Sequence, residues 1–360
     1  MSEILDGRGH RSYEEIMSEP GVWAATLKEL EENGRYDEVL NPLDKTDEWI
    51  FVGCGSSYYA AQAAAWSWTA VTGQRAKAVP ASELLFYPDH VLGEGKCQPV
   101  LISRSGHTTE MLMAADYLEK ERDIRTLAVS CATGKELEKL VTSTLLLPAA
   151  DERSTVMTRS FSTMLLGLQA LAGWASGRKD FLEALKQMPG QAERALGRLQ
   201  PCIEKFASSN EFADYIFLGQ GPFFGIASEG QLKVTEMSCS YAQVFHTLEF
   251  RHGPKSIVSP QTLLTFFLGE STGTSEQEVL EEMKELGGAT LVITNRANDN
   301  VRRAADVLIE LELDVPEVAR LAPHILAAQL TGLYLGLKRG FDPDEPRHLS
   351  RVVVLKEKAG

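Results

Sequence analysis

Cysteine is scarce in this chain. Of 360 residues only five are cysteines, Cys54, Cys97, Cys131, Cys202 and Cys239, and none forms a CxxC pair. That odd, scattered set excludes a disulfide scaffold and a cysteine zinc site, and a reducing, cytoplasmic setting is expected. Runs of Lys or Arg are absent as well, and 50 Asp and Glu against 36 Lys and Arg leave a net charge of −14. A nucleic-acid partner would ask for the opposite balance. No apolar run approaches the ~20 residues that cross a bilayer. The longest, an Ala-rich stretch after Tyr59, is broken by Gln62, and the opening MSEILDGRGH lacks the basic-then-apolar order of a signal peptide. Neither nucleic acid nor membrane is expected as a partner.

What is present is ordinary: 44% hydrophobic and 24% charged residues, with no biased tract. The length fits two domains with real cores. Residues 1–45 form an acidic arm, eleven Asp and Glu against five Lys and Arg. In it Val22, Trp23, Thr26, Leu27 and Leu30 recur at helical spacing, and Asn33-Gly34 closes the segment. From Trp49 onward short apolar runs of strand type, at 49–52, 77–79, 99–102, 126–129 and 144–147, alternate with helical stretches at 59–68 and 109–121. The order recurs with strands at 215–218, 263–268, 289–293 and 307–309 and helices at 225–239, 275–286 and 315–337. Strands separated by helices mean right-handed crossovers and a parallel sheet. The expected fold class is α/β: two similar doubly wound parallel-sheet lobes, each a flavodoxin-like three-layer sandwich. The expected division is an arm at 1–45, a first lobe at 46–195, a second at 196–345 and a tail at 346–360.

In such sheets ligands bind beyond the carboxyl ends of the strands, where strand order reverses. Two loops at such ends stand out. The loop 53–57, GCGSS, follows a strand and opens a helix; its glycines free the backbone, and Ser56 and Ser57 sit beside helix-terminal amides that favour an anion. The loop 103–109, SRSGHTT, holds four hydroxyls and a glycine in seven residues. Such a nest can wrap a phosphate without many cations. Ser, Thr and Gly are also the commonest turn and capping residues, so either loop alone reads more readily as turn and capping chemistry. Two in one lobe point to an anion site.

The second lobe offers a different cluster. On a helix at 225–238, Glu229, Lys233 and Glu236 fall within one arc, hemmed by Leu232, Ile226 and Met237. A solvated face would keep charge away from apolar neighbours, so the three are expected to look into a cleft or interface. The plainer alternative, a Glu229–Lys233 pair supporting the helix, leaves Glu236 without a partner. Further on, His252 in the sequence EFRHGP is an acid/base candidate in a loop. His246, His107, His324 and His348 show no ligand spacing, so no metal is expected.

GCGSS, ISRSGHT, EGQLKVTE, EFRHGPKS and the tail EPRHLSR at 345–351 occur in the order found in tandem sugar isomerase (SIS) domain proteins. The chain resembles that family across nearly its whole length, including the isomerase part of glucosamine-fructose-6-phosphate aminotransferase and the AgaS-type amino-sugar phosphate isomerase/deaminases. The resemblance implies a phosphorylated hexose or hexosamine ligand, no metal or organic cofactor, and a homodimer with a shared active site. It implies that Ser56, Ser57, Ser103, Ser105 and Thr108, with the Arg104 backbone, bind the phosphate. It further implies that Glu236 shuttles a proton between C1 and C2, that His252 opens the sugar ring from the partner subunit, and that Lys233 contacts the sugar.

Two departures bear on activity. Where the family's aminotransferase has an imine-forming lysine in its tail, this chain has Arg351, which cannot form a Schiff base but can hold a phosphate or carbonyl oxygen. Lys356 and Lys358 lie near in sequence but off the motif. Residue 2 is Ser and the first cysteine is Cys54, so no glutaminase is expected. The expected function is therefore an amino-sugar phosphate isomerase/deaminase acting on glucosamine 6-phosphate or galactosamine 6-phosphate. The alternatives are a deglycase of phosphorylated fructose–amino-acid adducts and a non-catalytic phosphosugar-binding regulator.

Overall fold

The computed structural model describes residues 7–353; Lys356 and Lys358 lie outside that range. Ten strands form two five-stranded sheets, all of whose paired strands run parallel. The described residues fall into two compact units. One, here the leading unit, comprises 22–153, 159–183 and 350–353; the trailing unit comprises 7–21, 154–158 and 184–349.

The leading sheet contains β1 (Glu48–Gly53), β2 (Arg75–Pro80), β3 (Cys97–Ile102), β4 (Leu127–Ser130) and β5 (Ser143–Leu146), ordered β2-β1-β3-β4-β5. Its central strands are buried on both faces, as parallel sheets covered by crossover helices must be. On one face Ile50, Val52, Leu101 and Ala128 pack with Leu84, Met111, Ala115 and Leu118. On the other, Trp49 and Phe51 meet Trp68 of the helix Ser56–Thr72 at ring distances of 4.0 and 5.7 Å. Alternate residues of one strand thus serve two helix layers, which makes the three-layer sandwich. Trp23, Thr26, Leu27 and Leu30 are buried on one side of the helix Glu19–Glu32, which ends just before Asn33-Gly34.

The trailing sheet contains β6 (Asp214–Gly219), β7 (Ala242–His246), β8 (Thr262–Phe267), β9 (Ala289–Thr294) and β10 (Val307–Glu310). Read from its β7 edge, the order β7-β6-β8-β9-β10 repeats the leading winding. Ile216, Leu218, Leu264, Phe266 and Val292 pack there with Val279, Leu280 and Met283. β7 is absent from the sequence-based reading. It is a half-buried edge strand, AQVFH, whose polar residues and short length give no strand periodicity. The helix expected over 315–337 begins later, as Leu321–Lys338, after a short 3-10 turn.

Glycines set how closely helices approach the sheets. A Cβ on Gly53, at the end of β1, would collide with the backbone of Ser57, and one on Gly219, at the end of β6, with that of Phe223. Two residues further on, Gly55 and Gly221 both have φ of +55°, a left-handed value that favours glycine. The same corner is therefore built twice. Among the described residues no helix is long and apolar enough to cross a membrane, and no group of three or more His, Cys, Asp or Glu is placed to hold a metal ion.

Candidate active site

Strand order in the leading sheet reverses between β1 and β3, so the loops after these strands flank the crevice where doubly wound sheets take ligands. After β1, Gly55 turns the chain so that Ser56 and Ser57 become the first helical residues, both buried. The thiol of the adjacent Cys54 is pushed up to about 11 by burial, with Glu110 adding to it, and is no nucleophile.

The loop after β3 is held from several directions. Its Gly106 has φ of +59°, and a Cβ there would lie 2.9 Å from the Lys135 Cβ. The Arg104 carbonyl accepts from the backbone amides of Cys131 and Ala132, each at 3.2 Å, and the Gly106 carbonyl from that of Leu137 at 3.1 Å. The His107 ring lies 2.7 Å from Glu136. With the backbone pinned, the hydroxyls of Ser103 and Thr108 come to 3.5 Å of each other. Ser105 lines a cavity of about 350 Å³ together with His107, Lys135, Asp151 and Arg351.

Arg104 and Arg351 both pair with acids of the leading unit. The Arg104 side chain is 6% exposed and donates to Glu152 at 3.2 Å and to the backbone carbonyl of Arg351 at 2.7 Å. Arg351 donates to Asp151 at 2.6 Å. Asp151 and Glu152 were missed by sequence reasoning, since a pair 48 residues apart in sequence carries no periodic signal.

In the trailing unit, the helix Phe223–Ser238 carries the charged cluster. Lys233 is fully buried, and its ammonium lies 3.2 Å from Glu229 and 2.6 Å from Glu236. Glu236 thus has a partner, contrary to expectation, because one lysine reaches both the preceding and the following turn. Burial pulls the Lys233 pKa down, yet the two carboxylates outweigh this and hold it above the ordinary lysine value. Lys233 is an ammonium at neutral pH. Glu229 is sealed, whereas Glu236 is 17% exposed and opens on a cavity of about 240 Å³ lined by Met237, Phe341, Asp342, Glu345 and Arg347.

The position of this cluster is fixed by close helix packing. A Cβ on Gly332 of the helix Leu321–Lys338 would stand 2.8 Å from the Lys233 carbonyl oxygen, and one on Gly336 would collide with that of Met237. Two glycines four residues apart thus let this helix lie against the turns that carry the charges. His252 is exposed, in a loop fastened by Arg251 and Lys255 to Glu282 at 2.7 and 2.6 Å.

The structure therefore gathers Ser103, Arg104, Ser105, Thr108 and Arg351 in one unit, and Lys233 and Glu236 in the other. Over residues 43–173 and 214–331 the chain matches the SIS domain. It belongs to the SIS domain family. Among solved structures, one described as glucosamine-6-phosphate deaminase from Thermotoga maritima is 32% identical, covers 96% of this chain and 100% of its own, and superimposes with a TM-score of 0.77. The tagatose-6-phosphate ketose/aldose isomerase of Escherichia coli has a TM-score of 0.83 over 98% of both chains at 22% identity, a likeness of fold. The glutamine–fructose-6-phosphate aminotransferase (isomerizing) of Methanothermobacter thermautotrophicus is 26% identical over 356 residues, 97% of this chain. The chain spans 58% of the length of that relative.

Proposed function

We propose that this SIS-family chain is a phosphosugar isomerase that acts on an amino-sugar phosphate of the glucosamine 6-phosphate or galactosamine 6-phosphate type, releasing ammonia. The observation that carries this reading is the buried Lys233 shared by two carboxylates, of which Glu236 alone reaches a cavity. Full-length similarity to a protein described as a glucosamine-6-phosphate deaminase supports the choice of substrate.

In this reading the hydroxyls of Ser56, Ser57, Ser103, Ser105 and Thr108 hold the phosphate, and its binding energy positions the reacting carbons. Glu236 removes the proton from C2 of the open-chain aldose, giving an enolamine, and returns it to C1. The resulting ketose imine adds water and expels ammonia. Lys233, kept charged by its neighbours, orients Glu236 rather than attacking the substrate. Arg351, a guanidinium paired with Asp151, leaves the imine free of the protein.

His252 is assigned to ring opening in the site of a second copy, which fits its exposure here and makes the enzyme a homodimer. The test is ammonia release from the two hexosamine phosphates, with a phosphorylated fructose–amino-acid adduct and tagatose 6-phosphate in the same panel. Turnover of the adduct alone would make the chain a deglycase, and turnover of none a regulator. Mixing Glu236→Gln with His252→Ala chains should restore about a quarter of the sites if each site is shared between copies.

A further inference from the structure

We propose that Arg104 is a positioning residue that fastens the tail segment 350–353 to the hydroxyl loop after β3, so that loop and tail engage the sugar phosphate as one body. This rests on the reading of that loop as the phosphate cradle.

Two contacts join tail and loop, and a third ties the tail to Asp151. One Arg104 nitrogen donates to the Arg351 carbonyl at 2.7 Å while the other meets Glu152 at 3.2 Å. The Thr109 amide, first in the helix Thr109–Asp116, donates to the Val353 carbonyl at 3.4 Å. The Arg351 side chain reaches Asp151 at 2.6 Å. Arg104 lies between the hydroxyls of Ser103 and Ser105, and its own carbonyl is held by the amides of Cys131 and Ala132.

Its counter-ion is anchored too. Glu152 is 1% exposed, and it accepts from the Ser160 hydroxyl and, at 3.4 Å, from the Ser160 amide. A guanidinium can serve a carboxylate and a carbonyl at once because its donors fan out in one plane; an ammonium on a flexible stem is poorly suited to both. The tail carbonyl is the member of this network that does not belong to the interior of the leading unit. An arginine needed for stability alone has no cause to reach it.

The Arg351 carbonyl belongs to the peptide bond that trypsin cuts after Arg351, so cleavage there reports directly on the tether. Removing one partner of a buried ion pair strands the other, so the main variant removes both charges, Arg104→Met with Glu152→Gln in the full chain. The expected result is a melting temperature close to wild type, cleavage after Arg351 about tenfold faster, and KM for the phosphosugar raised about tenfold with kcat changed less than about threefold, the scale of one lost charge-assisted hydrogen bond. Arg104→Lys, which keeps the charge opposite Glu152, should move cleavage and KM in the same direction by less. Unchanged cleavage in both variants overturns the proposal. So does a raised KM with cleavage unchanged, which would make Arg104 a direct ligand. Should no amino-sugar phosphate be turned over by the wild-type chain, the cleavage rates still decide the tether, and the function reading fails separately.

Discussion

The two units share a winding and even a turn, yet they dress it differently. After β3, Gly106 has φ of +59° and its amide bonds the Ser103 carbonyl at 3.3 Å; after β8, Gly273 has φ of +59° and its amide bonds the Glu270 carbonyl at 3.3 Å. In the leading unit this turn presents Ser103, Ser105 and Thr108. In the trailing unit its donors are taken by carboxylates from the same unit. Glu317 accepts from the Glu270 and Ser271 amides and, at 2.5 Å, from the Ser271 hydroxyl. Glu276 accepts from the Gly269 amide at 3.4 Å and the Thr272 hydroxyl at 2.7 Å. A backbone turn suited to anions is therefore not enough to make a site; what decides is whether the protein supplies the anion itself. The trailing unit carries its charged cluster at the far end of the helix that follows β6.

That contrast can be broken or sharpened by experiment. The largest effect belongs to the trailing helix: Glu236→Gln should lower ammonia release about 100- to 10,000-fold while KM and melting temperature stay near wild type. Steady-state kinetics with glucosamine 6-phosphate would check it, and a mere twofold loss would remove Glu236 from the chemistry.

Next is a pH effect confined to the trailing unit. His324 is buried, its Nδ1 bonded to the Arg320 carbonyl at 2.7 Å and its ring against Phe223, and burial pulls its pKa down to about 4. Unfolded, it titrates near 6.5, so below that pH the unfolded chain binds a proton that the folded one refuses. Stability from this group is complete above about pH 6.5 and is lost as pH falls toward 4, by up to about 3 kcal/mol. Urea unfolding between pH 7 and 4 should show it, and His324→Gln should flatten the profile.

A smaller change is expected from Gly332→Ala, whose new methyl would press on the Lys233 carbonyl. It should cost about 1–3 kcal/mol and lower kcat more than it raises KM. Normal kcat would mean that the helix Leu321–Lys338 does not set the position of Glu236. The gentlest test pairs the two turns: Ser105→Ala should raise KM for the phosphosugar about tenfold, whereas Ser271→Ala should leave it unchanged. Equal effects would erase the distinction between the units.

Much of this was legible from residue order. Among the described residues the six inner strands announce themselves as short apolar runs, because a strand buried on both faces needs apolar residues throughout, and the edge strands β2, β5 and β10 keep enough apolar residues to be read as well. The hydroxyl loops and the arc of Glu229, Lys233 and Glu236 were legible for similar reasons, as local features read within one turn or one loop. β7 was not, since AQVFH is short, half-buried along its whole length and mixed with polar residues. Nor were the ties of Arg104 to Glu152, Arg351 to Asp151, and Arg251 and Lys255 to Glu282, which join residues from 27 to 200 positions apart. Long-range polar pairs leave no local trace. The partnership of Lys233 with Glu236 was local but was overlooked, because a single lysine was credited with a single acid.

That shared lysine has a consequence for the reaction itself. With one ammonium between two carboxylates, the resting cluster carries a single net negative charge inside the protein. In the proposed reaction Glu236 accepts the substrate proton and the excess vanishes; when it hands the proton on, the excess returns. On that reading the cluster swings only between minus one and zero through a catalytic cycle, so the helix never has to carry more than one uncompensated charge.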